Sequence, residues 1–546
     1  MKKILLVLLF SILTICSALA TTAEELAESN EWHDLLLDDP YGQGFVTDYT
    51  KFFACGERDY LKEINYLLEN RGPELYRKYP GRYECISRNL GIDIPWLEDN
   101  DELAAYLAEN DFDRVSIGIA EPYNKQAMSF FGHAFMFLSN DDESVAEGVS
   151  LNLFAYIDEY SGGETIIRGL QGNLVGYFDF KSVSRMFENY LINLERMVID
   201  YRLILDRDAI RRILLMVWDL RGAPIDYQFI ERNCVNGTLT LLDYAAGNTD
   251  MRAAFPGILL PTSMVEIIEH FEMVETRQIY SPVITQLGVE IDRSRLPEFD
   301  QRKTAWTAAG WPSGSEHGLP PFIPVPDQVE RPLYFDSNNA YVELGSAVNL
   351  SGTPQFRFDA EARFLLADEW ERIFSTKKLS KITLGRIKLF YQDNSNWGLD
   401  RIDLFESTEF PKLLEYHIYP SSRFYVGAHR GFADGNLKPV ITIGKGFSVG
   451  TDCILLYSLI DADLVIDWIG INFGGEAGLI LNGEWGMAGV KGYLPIWGWP
   501  DHSKRAPGAA VTAKLRITPN FFLGGDYDIL KNSLRIAARV SFSPWG

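Results

Sequence analysis

Gln228-Phe229-Ile230-Glu231-Arg232-Asn233-Cys234-Val235-Asn236-Gly237 runs into Thr238-Leu239-Thr240-Leu241-Leu242-Asp243-Tyr244-Ala245-Ala246, and the reading of this stretch decides the fold of the first half of the chain. A short aromatic approach ends at an Asn-Cys pair. Leu239, Leu242 and Ala246 then recur at helical spacing, and Gly247-Asn248 supplies a C-cap. The pattern predicts a helix that starts at or just after Cys234. In a first helical turn the partial positive charge of the N-terminus favours a thiolate. Taken alone, Cys234 reads as a buried structural cysteine, because free cysteine is among the most buried residue types.

A stretch further upstream changes the balance. From Arg114, Val115, Ile117 and Ile119 alternate with Ser116, Gly118 and Ala120, which reads as a strand. Met128 to Leu138 reads as a second, apolar strand with His133 near its start. Val149 to Ile157 returns as an antiparallel partner, giving a meander. Two amphipathic helices are expected next, Val183 to Arg202 and Arg207 to Leu220. Ser263-Met264-Val265-Glu266 has the form of a capping box before another. Before the strands, the chain from Thr21 to about Asn100 reads as helices, among them Tyr60 to Asn70 with Leu61, Ile64, Leu67 and Leu68 on one face.

Cysteine catalysis needs a thiol, a base within hydrogen-bond reach and a group that orients the base. Of seven histidines, only His133 falls inside the α+β stretch that holds Cys234. A lone histidine in an apolar strand is more often structural; beside an Asn-Cys helix start it becomes the candidate base. Asn152, on the neighbouring strand, is the candidate orienting residue. Pleating puts Ser150 on the same face as a substitute. The Cys234 backbone N–H, with Asn233 or Ser129, could serve a developing oxyanion.

The chain has 546 residues, 47% of them hydrophobic, and a formal net charge of −24. That length calls for several domains. The acidic balance excludes nucleic acid as a partner, because phosphate binding needs clustered Lys and Arg. Met1-Lys2-Lys3, the apolar run Ile4 to Cys16 and Ala18-Leu19-Ala20 form a secretory signal peptide. Leu13-Thr14-Ile15-Cys16 departs from a lipoprotein cleavage box at the bulky Ile15. Cys55, Cys85, Cys234 and Cys453 remain after cleavage. Outside the cytosol Cys55 and Cys85 could form a disulfide, since both fall in one small helical region. Cys453 reads as apolar filling. No spacing suits zinc, and no metal or cofactor is expected.

Trp311 to Pro332 is rich in Pro and Gly and reads as a linker. Beyond it the pattern is β throughout. Gln355-Phe356-Arg357-Phe358-Asp359-Ala360-Glu361-Ala362-Arg363-Phe364 alternates without a slip, and Leu534 to Phe542 nearly so. Roughly ten to twelve such strands suggest an antiparallel β-barrel. Alternation alone does not separate an outer-membrane barrel, apolar face outward, from a soluble one with that face inward. The signal peptide, the aromatics and the apolar terminal strand favour the membrane, with Asp359, Glu361 and Arg363 lining the lumen.

Ser129-Phe130-Phe131-Gly132-His133-Ala134-Phe135, Arg168-Gly169-Leu170-Gln171-Gly172, Glu195-Arg196 with Tyr201, and Tyr227 to Cys234 together resemble the Lnb N-terminal periplasmic domain family over roughly residues 112 to 275. The resemblance implies a circularly permuted papain-like (NlpC-type) fold in which His precedes Cys, with His133 as base and Cys234 as nucleophile. It implies a cysteine acyltransferase or acyl hydrolase working through a thioester on phospholipid or lipoprotein. A peptidoglycan amidase or endopeptidase with the same dyad, and a non-catalytic binding protein, stay open as alternatives. The expected plan is α+β overall: signal peptide 1–20, helical N-terminal cap 21–105, papain-like domain 106–310, linker 311–332 and outer-membrane barrel 333–546, periplasm-facing.

Overall fold

The computed structural model describes residues 21–38, 44–97, 100–121, 132–141, 144–156, 162–194, 196–229, 231–247, 249–255, 259–280, 340–350, 355–367, 378–392, 397–411, 420–432, 434–450, 454–466, 470–483, 486–500, 504–518 and 521–542. The expected signal peptide, Ser129, Cys453 and the linker 311–332 lie outside the described residues. The chain divides into two compact units, Met1–Asp327 and Gln328–Gly546.

The first unit is built on a seven-stranded antiparallel sheet: β1 (Arg114–Ala120), β2 (His133–Ser139), β3 (Val149–Ala155), β4 (Leu174–Ser182), β5 (Val198–Leu203), β6 (Ile225–Tyr227) and β7 (Val274–Tyr280), in the order β6-β4-β3-β2-β1-β5-β7. The β1-β2-β3 meander is the expected one. Every residue of β1 and β2 is buried, so their apolar runs are nearly continuous.

The helix expected from Val183 to Arg202 is not one element. A helical turn, Val183–Phe187, widens into a π-helical segment, Glu188–Asn193. The chain then enters β5, which pairs with both β1 and β7. Val198, Ile199 and Tyr201 are β-branched or aromatic and are buried on both faces. Ile199, Tyr201 and Leu203 alternate with Asp200 and Arg202 at the strand period, and their β-branched and aromatic residues favour the strand.

The N-terminal helices fall within this first unit. Helices α1 (Tyr60–Glu69) and α2 (Pro80–Leu90) meet α3 (Arg207–Asp219) at a buried ionic cluster. Arg82 donates to Glu63 Oε1 at 2.5 Å and to the Phe52 carbonyl at 2.9 Å. Its guanidinium lies over the rings of Tyr79 and Phe52. Asp219 accepts the backbone N–H groups of Gly81 and Arg82, both at 2.9 Å. Charged side chains without any exposure persist only when paired and hydrogen-bonded. Further along, the Asp226 N–H reaches the Phe45 carbonyl at 2.7 Å.

The disulfide considered between Cys55 and Cys85 is not formed; both thiols are free. Cys55 Sγ turns toward the carbonyl of Glu57 in its own loop, at 3.1 Å. Cys85 is buried on α2, where Asn89 Nδ2 approaches its sulfur at 3.5 Å. Burial and desolvation raise the pKa of the Cys85 thiol well above its ordinary value.

The second unit is a closed barrel of twelve antiparallel strands: β8 (Ala340–Asn349), β9 (Gln355–Ala367), β10 (Lys378–Gln392), β11 (Gly398–Pro411), β12 (Ser421–His429), β13 (Lys438–Gly450), β14 (Ile454–Val465), β15 (Gly470–Gly483), β16 (Gly486–Trp499), β17 (Gly508–Thr518), β18 (Phe521–Asp528) and β19 (Ser533–Phe542). Closure comes from β19 pairing with β8 and β9 with β10. Its polarity is inverted relative to a soluble fold. Asp359, Glu361 and Arg363 are enclosed, whereas Phe356, Phe358, Ile536 and Val540 are at least half exposed on the outside. An apolar exterior around a charged interior is the pattern of a membrane-spanning barrel. Outward aromatics gather toward the end away from the start of β8, including Trp397, Trp497 and Trp499, as an interfacial girdle does. Lys445 is an exception: it is exposed on the outer face of β13 between Ile443 and Phe447.

Candidate active site

Helix α4 (Cys234–Ala246) starts at the cysteine, as the sequence indicated. Asn233 is its N-cap. The side-chain oxygen accepts from the backbone N–H groups of Val235 at 2.9 Å and Asn236 at 3.2 Å. The amide nitrogen donates to the carbonyls of Phe229 at 3.0 Å and Leu259 at 2.7 Å. Asparagine is the residue that can do both. Its donor is therefore committed, which removes Asn233 as the oxyanion donor considered from sequence. The Cys234 N–H, at the first helical position, has no intrahelical acceptor; it lies toward the Tyr227 hydroxyl and is the donor that an arriving oxyanion would take over. Gly237 lets the helix sit close to β3: a Cβ there would come within 2.6 Å of Leu153 Cδ2.

The helix delivers Cys234 to the edge of β2. Strands β2 and β3 are paired only over Met136–Leu138 and Val149–Leu151. Beyond that pairing the backbone N–H of Ala134 and, from β6, the Tyr227 hydroxyl lie close enough to the Cys234 thiol to lower its pKa. His133 is the residue next to Ala134. The imidazole stacks on Phe154 at 5.4 Å and 18° and lies beside Phe135. Asn152 shares that face: its Nδ2 is fixed by Ser150 O at 3.1 Å and Ser150 Oγ at 2.6 Å. Asn152 faces His133 closely enough to favour the protonated imidazole. No hydrogen bond between them is fully formed, since His133 Nε2 and Asn152 Oδ1 are both buried without a partner. The thiol and the imidazole thus belong to neighbouring positions along one strand, no interaction joins them among the described residues, and His133 Nε2 is without a partner in the resting state.

Electrostatics set the resting protonation. Burial pushes the Cys234 thiol up, outweighing the hydrogen bonds from Ala134 and Tyr227 that lower it. The thiolate expected from a helix N-terminus is therefore not the resting form. Burial also drives His133 down to about 3, with the Arg196 cation adding to the shift. The pair rests as neutral thiol and neutral imidazole at physiological pH.

Three residues here were not assigned roles in the sequence reading, although Arg196 and Tyr227 sit within its quoted motifs. Tyr227 holds the thiol. Tyr190 stacks on Phe135 at 5.6 Å, and its hydroxyl is pushed up to about 12 by burial. Arg196, wholly buried, lies over the Tyr190 ring at 4.7 Å and donates to the Glu121 carbonyl at 2.5 Å. They come from two segments, Tyr190 with Arg196 ahead of β5 and Tyr227 on β6, and only the fold brings these together beside Cys234 and His133.

A periplasmic α+β domain with a helix-start cysteine beside a strand histidine, followed by a membrane-spanning barrel, defines an exported protein of the outer membrane. Residues 102–270 match the family model for the Lnb N-terminal periplasmic domain, and the chain carries that domain. No curated protein matches the chain. Among solved structures it is similar to an outer membrane channel from Pseudomonas putida F1, with 9% identity over 38% of this chain and 96% of that one and a TM-score of 0.26. It is also similar to the translocator domain of the autotransporter NalP from Neisseria meningitidis, with 14% identity over 37% of this chain and 85% of that one and a TM-score of 0.24. A third likeness is to the KdgM porin, with 8% identity over 37% and 98% and a TM-score of 0.21.

Proposed function

We propose that the first unit is a thiol-dependent acyltransferase or acyl hydrolase of the cell envelope, acting on phospholipid or lipoprotein. The observation that carries this reading is the seating of Cys234 at a helix start, with its thiol beside the backbone N–H of Ala134, the residue after His133. As the substrate carbonyl arrives, His133 takes the thiol proton and Cys234 Sγ attacks. The oxyanion falls to the Cys234 N–H. The C–O or C–N bond of the substrate breaks, the proton passes from His133 to the leaving atom, and a thioester remains on Cys234. Water or an amine then takes the acyl group and regenerates the thiol. Asn152 orients the imidazole once it is charged. Because both partners rest neutral, proton transfer accompanies attack and no thiolate is stored.

Among the described residues Phe135, Phe154, Tyr190 and Tyr227 give the pair aromatic walls, with Asn152, Lys181 and Arg196 as the polar side chains among them. Such walls suit an acyl chain better than a muropeptide, which favours lipid over the peptidoglycan reading. The test is mass spectrometry of the Cys234 peptide after incubating the full chain with phospholipid vesicles and, separately, with muropeptides. A fatty-acyl adduct is expected from vesicles. An adduct formed only with muropeptides would turn the reading to an amidase. Full turnover on both substrates by Cys234→Ala and His133→Ala would end the catalytic assignment.

A further inference from the structure

The barrel interior holds a cavity of ≈ 720 Å³. Twelve Lys and Arg residues line it against eight Asp and Glu, with Asp403, Asp461 and Asp463 buried in the wall behind them, in a chain whose net charge is −24. The carboxylates are already taken. Asp359 and Glu343 are held by Arg535 at 2.7 Å each. Glu361 is held by Arg363 at 2.6 Å, and Glu476 by Arg423 at 2.6 Å. Asp403, Asp461 and Asp463 sit behind these cations at 0–1% exposure and bind Arg386, Arg423 and Arg505 from the wall side.

What faces the space is the surplus. Lys491, on β16, is exposed to the cavity and makes no ion pair among the described residues. The acid that it senses, Glu476, is the one gripped by Arg423. Arg430 spends its hydrogen bonds on the carbonyls of Leu399 at 2.8 Å and Gly435 at 3.0 Å, not on a carboxylate. Its charge is left uncancelled.

Apolar clusters flank this chamber along the barrel. Phe410, Leu455, Ile480 and Met487 pack together near the strand ends on the side where β8 begins. Phe432, Val440 and Val465 pack near the opposite ends. There Phe432 bridges to Arg505 of the β16–β17 connection. A water-filled space with unspent cations between low-dielectric collars concentrates anions.

We propose that the barrel interior is a binding chamber for small oxyanions, phosphate or carboxylate in type, with Lys491 and Arg430 as the contacting cations. Ala510 lies directly across from Lys491 in the β16–β17 ladder and lines the same cavity. The experiment uses the full chain carrying Ala510→Cys in neutral detergent. It is labelled with an anionic or a cationic methanethiosulfonate, and modification of residue 510 is read by peptide mass. The anionic reagent is expected to react several-fold faster at low salt, with the preference fading as salt is added. Inorganic phosphate should slow labelling saturably; acetate in a parallel arm tells whether a carboxylate suffices. Adding Lys491→Glu, or Lys491→Gln if the former does not fold, should remove both the preference and the protection. Faster reaction with the cationic reagent, no protection by either anion, or no labelling of residue 510 by either reagent overturns the proposal.

Discussion

In β2 of the first unit every residue from His133 to Ser139 is buried, and all between the two ends are apolar. In β14 of the barrel burial alternates, with Asp461 and Asp463 enclosed while Leu456, Ile460 and Leu464 face outward. Both strands lie inside a sheet, with a strand paired on either side. They differ in what lies on either side: packed helices for β2, lipid and an aqueous lumen for β14. The ionic clusters of the two regions differ for the same reason. The Arg82–Glu63–Asp219 cluster has no exposure at all, whereas Arg535 in the lumen keeps 16%. A dry site punishes every unpaired charge, and a wet lumen forgives it. The proposed catalytic pair belongs to the dry class and the proposed anion chamber to the wet one.

The largest expected effect breaks the dry site chemically. Cys234→Ala should abolish adduct formation and lower turnover by roughly 10⁴-fold or more, as loss of a nucleophile does. His133→Ala should approach the same loss. Tyr227→Phe should cost less, roughly 10-fold to 10²-fold, because it removes one hydrogen bond to the sulfur. Equal losses for Tyr227→Phe and Cys234→Ala would move Tyr227 from a holding residue to a reacting one.

Next in size is the contrast between ionic clusters. Asp219→Ala strands Arg82 beside Glu63 alone and leaves two backbone N–H groups unanswered. The expected cost is about 3–5 kcal/mol, the usual result of orphaning a buried charge. Arg535→Gln in the lumen should cost about 1 kcal/mol, because Arg539 still reaches Glu343 at 3.2 Å and Lys388 reaches Asp359 at 3.7 Å. Urea unfolding, followed by hydrogen exchange in each unit separately, measures both. Similar costs would mean that the lumen is as dry as the core.

The pH dependence separates the regions more gently. His133 falls from 6.5 when unfolded to about 3 when folded. The unfolded chain therefore takes up a proton across that window that the folded chain refuses. Stability from this site is complete above 6.5 and is lost as the pH falls toward 3. Asp219 runs the other way: burial raises it to about 7, so its contribution is present below 3.8 and lost as the pH rises through 7. Comparing the chain with His133→Asn isolates the histidine. The variant's relative stability should improve as the pH drops from 6.5 to 4. The acid limb of turnover should likewise lie well below 6.5, since His133 remains neutral and basic there. An acid limb near 6.5 would mean that the imidazole is solvated in the working enzyme.

Much of the site was legible in the chain. The Asn-Cys helix start, the His133 strand and the strand carrying Asn152 follow from local period and capping chemistry, and these are nearest-neighbour properties. The barrel's alternation was legible for the same reason. β5 was not: Ile199, Tyr201 and Leu203 do alternate with Asp200 and Arg202, but the helical spacing of Met186, Tyr190, Leu194 and Met197 runs straight into them with no Gly or Pro to mark the change. Nor was the resting protonation: a helix N-terminus argues for a thiolate, but the depth of burial that overrides it is a property of the assembled unit. The joining of Tyr190, Arg196 and Tyr227 around Cys234 depends on sheet order, which no local pattern encodes. Free Cys55 and Cys85 teach a related point, since closeness in sequence does not fix where two sulfurs point.

The smallest effect concerns Lys445, which tests the inverted polarity of the barrel directly. It lies seven residues into the thirteen-residue β13, near mid-strand, with Ile443 and Phe447 exposed to either side. Across the ladder it faces Ile460, itself 61% exposed. A lysine on the lipid face at the midplane costs about 2–4 kcal/mol, falling to about 0–1 near the interfaces. Its four-carbon stem lets the ammonium climb toward the headgroups, so the lower part of that range applies. Lys445→Leu should stabilise the barrel by about 1 kcal/mol in lipid vesicles and leave it unchanged in urea without a bilayer. The paired measurement matters more than either value. A gain confined to vesicles places hydrocarbon against β13, whereas an equal gain without lipid would mean that this face packs on protein.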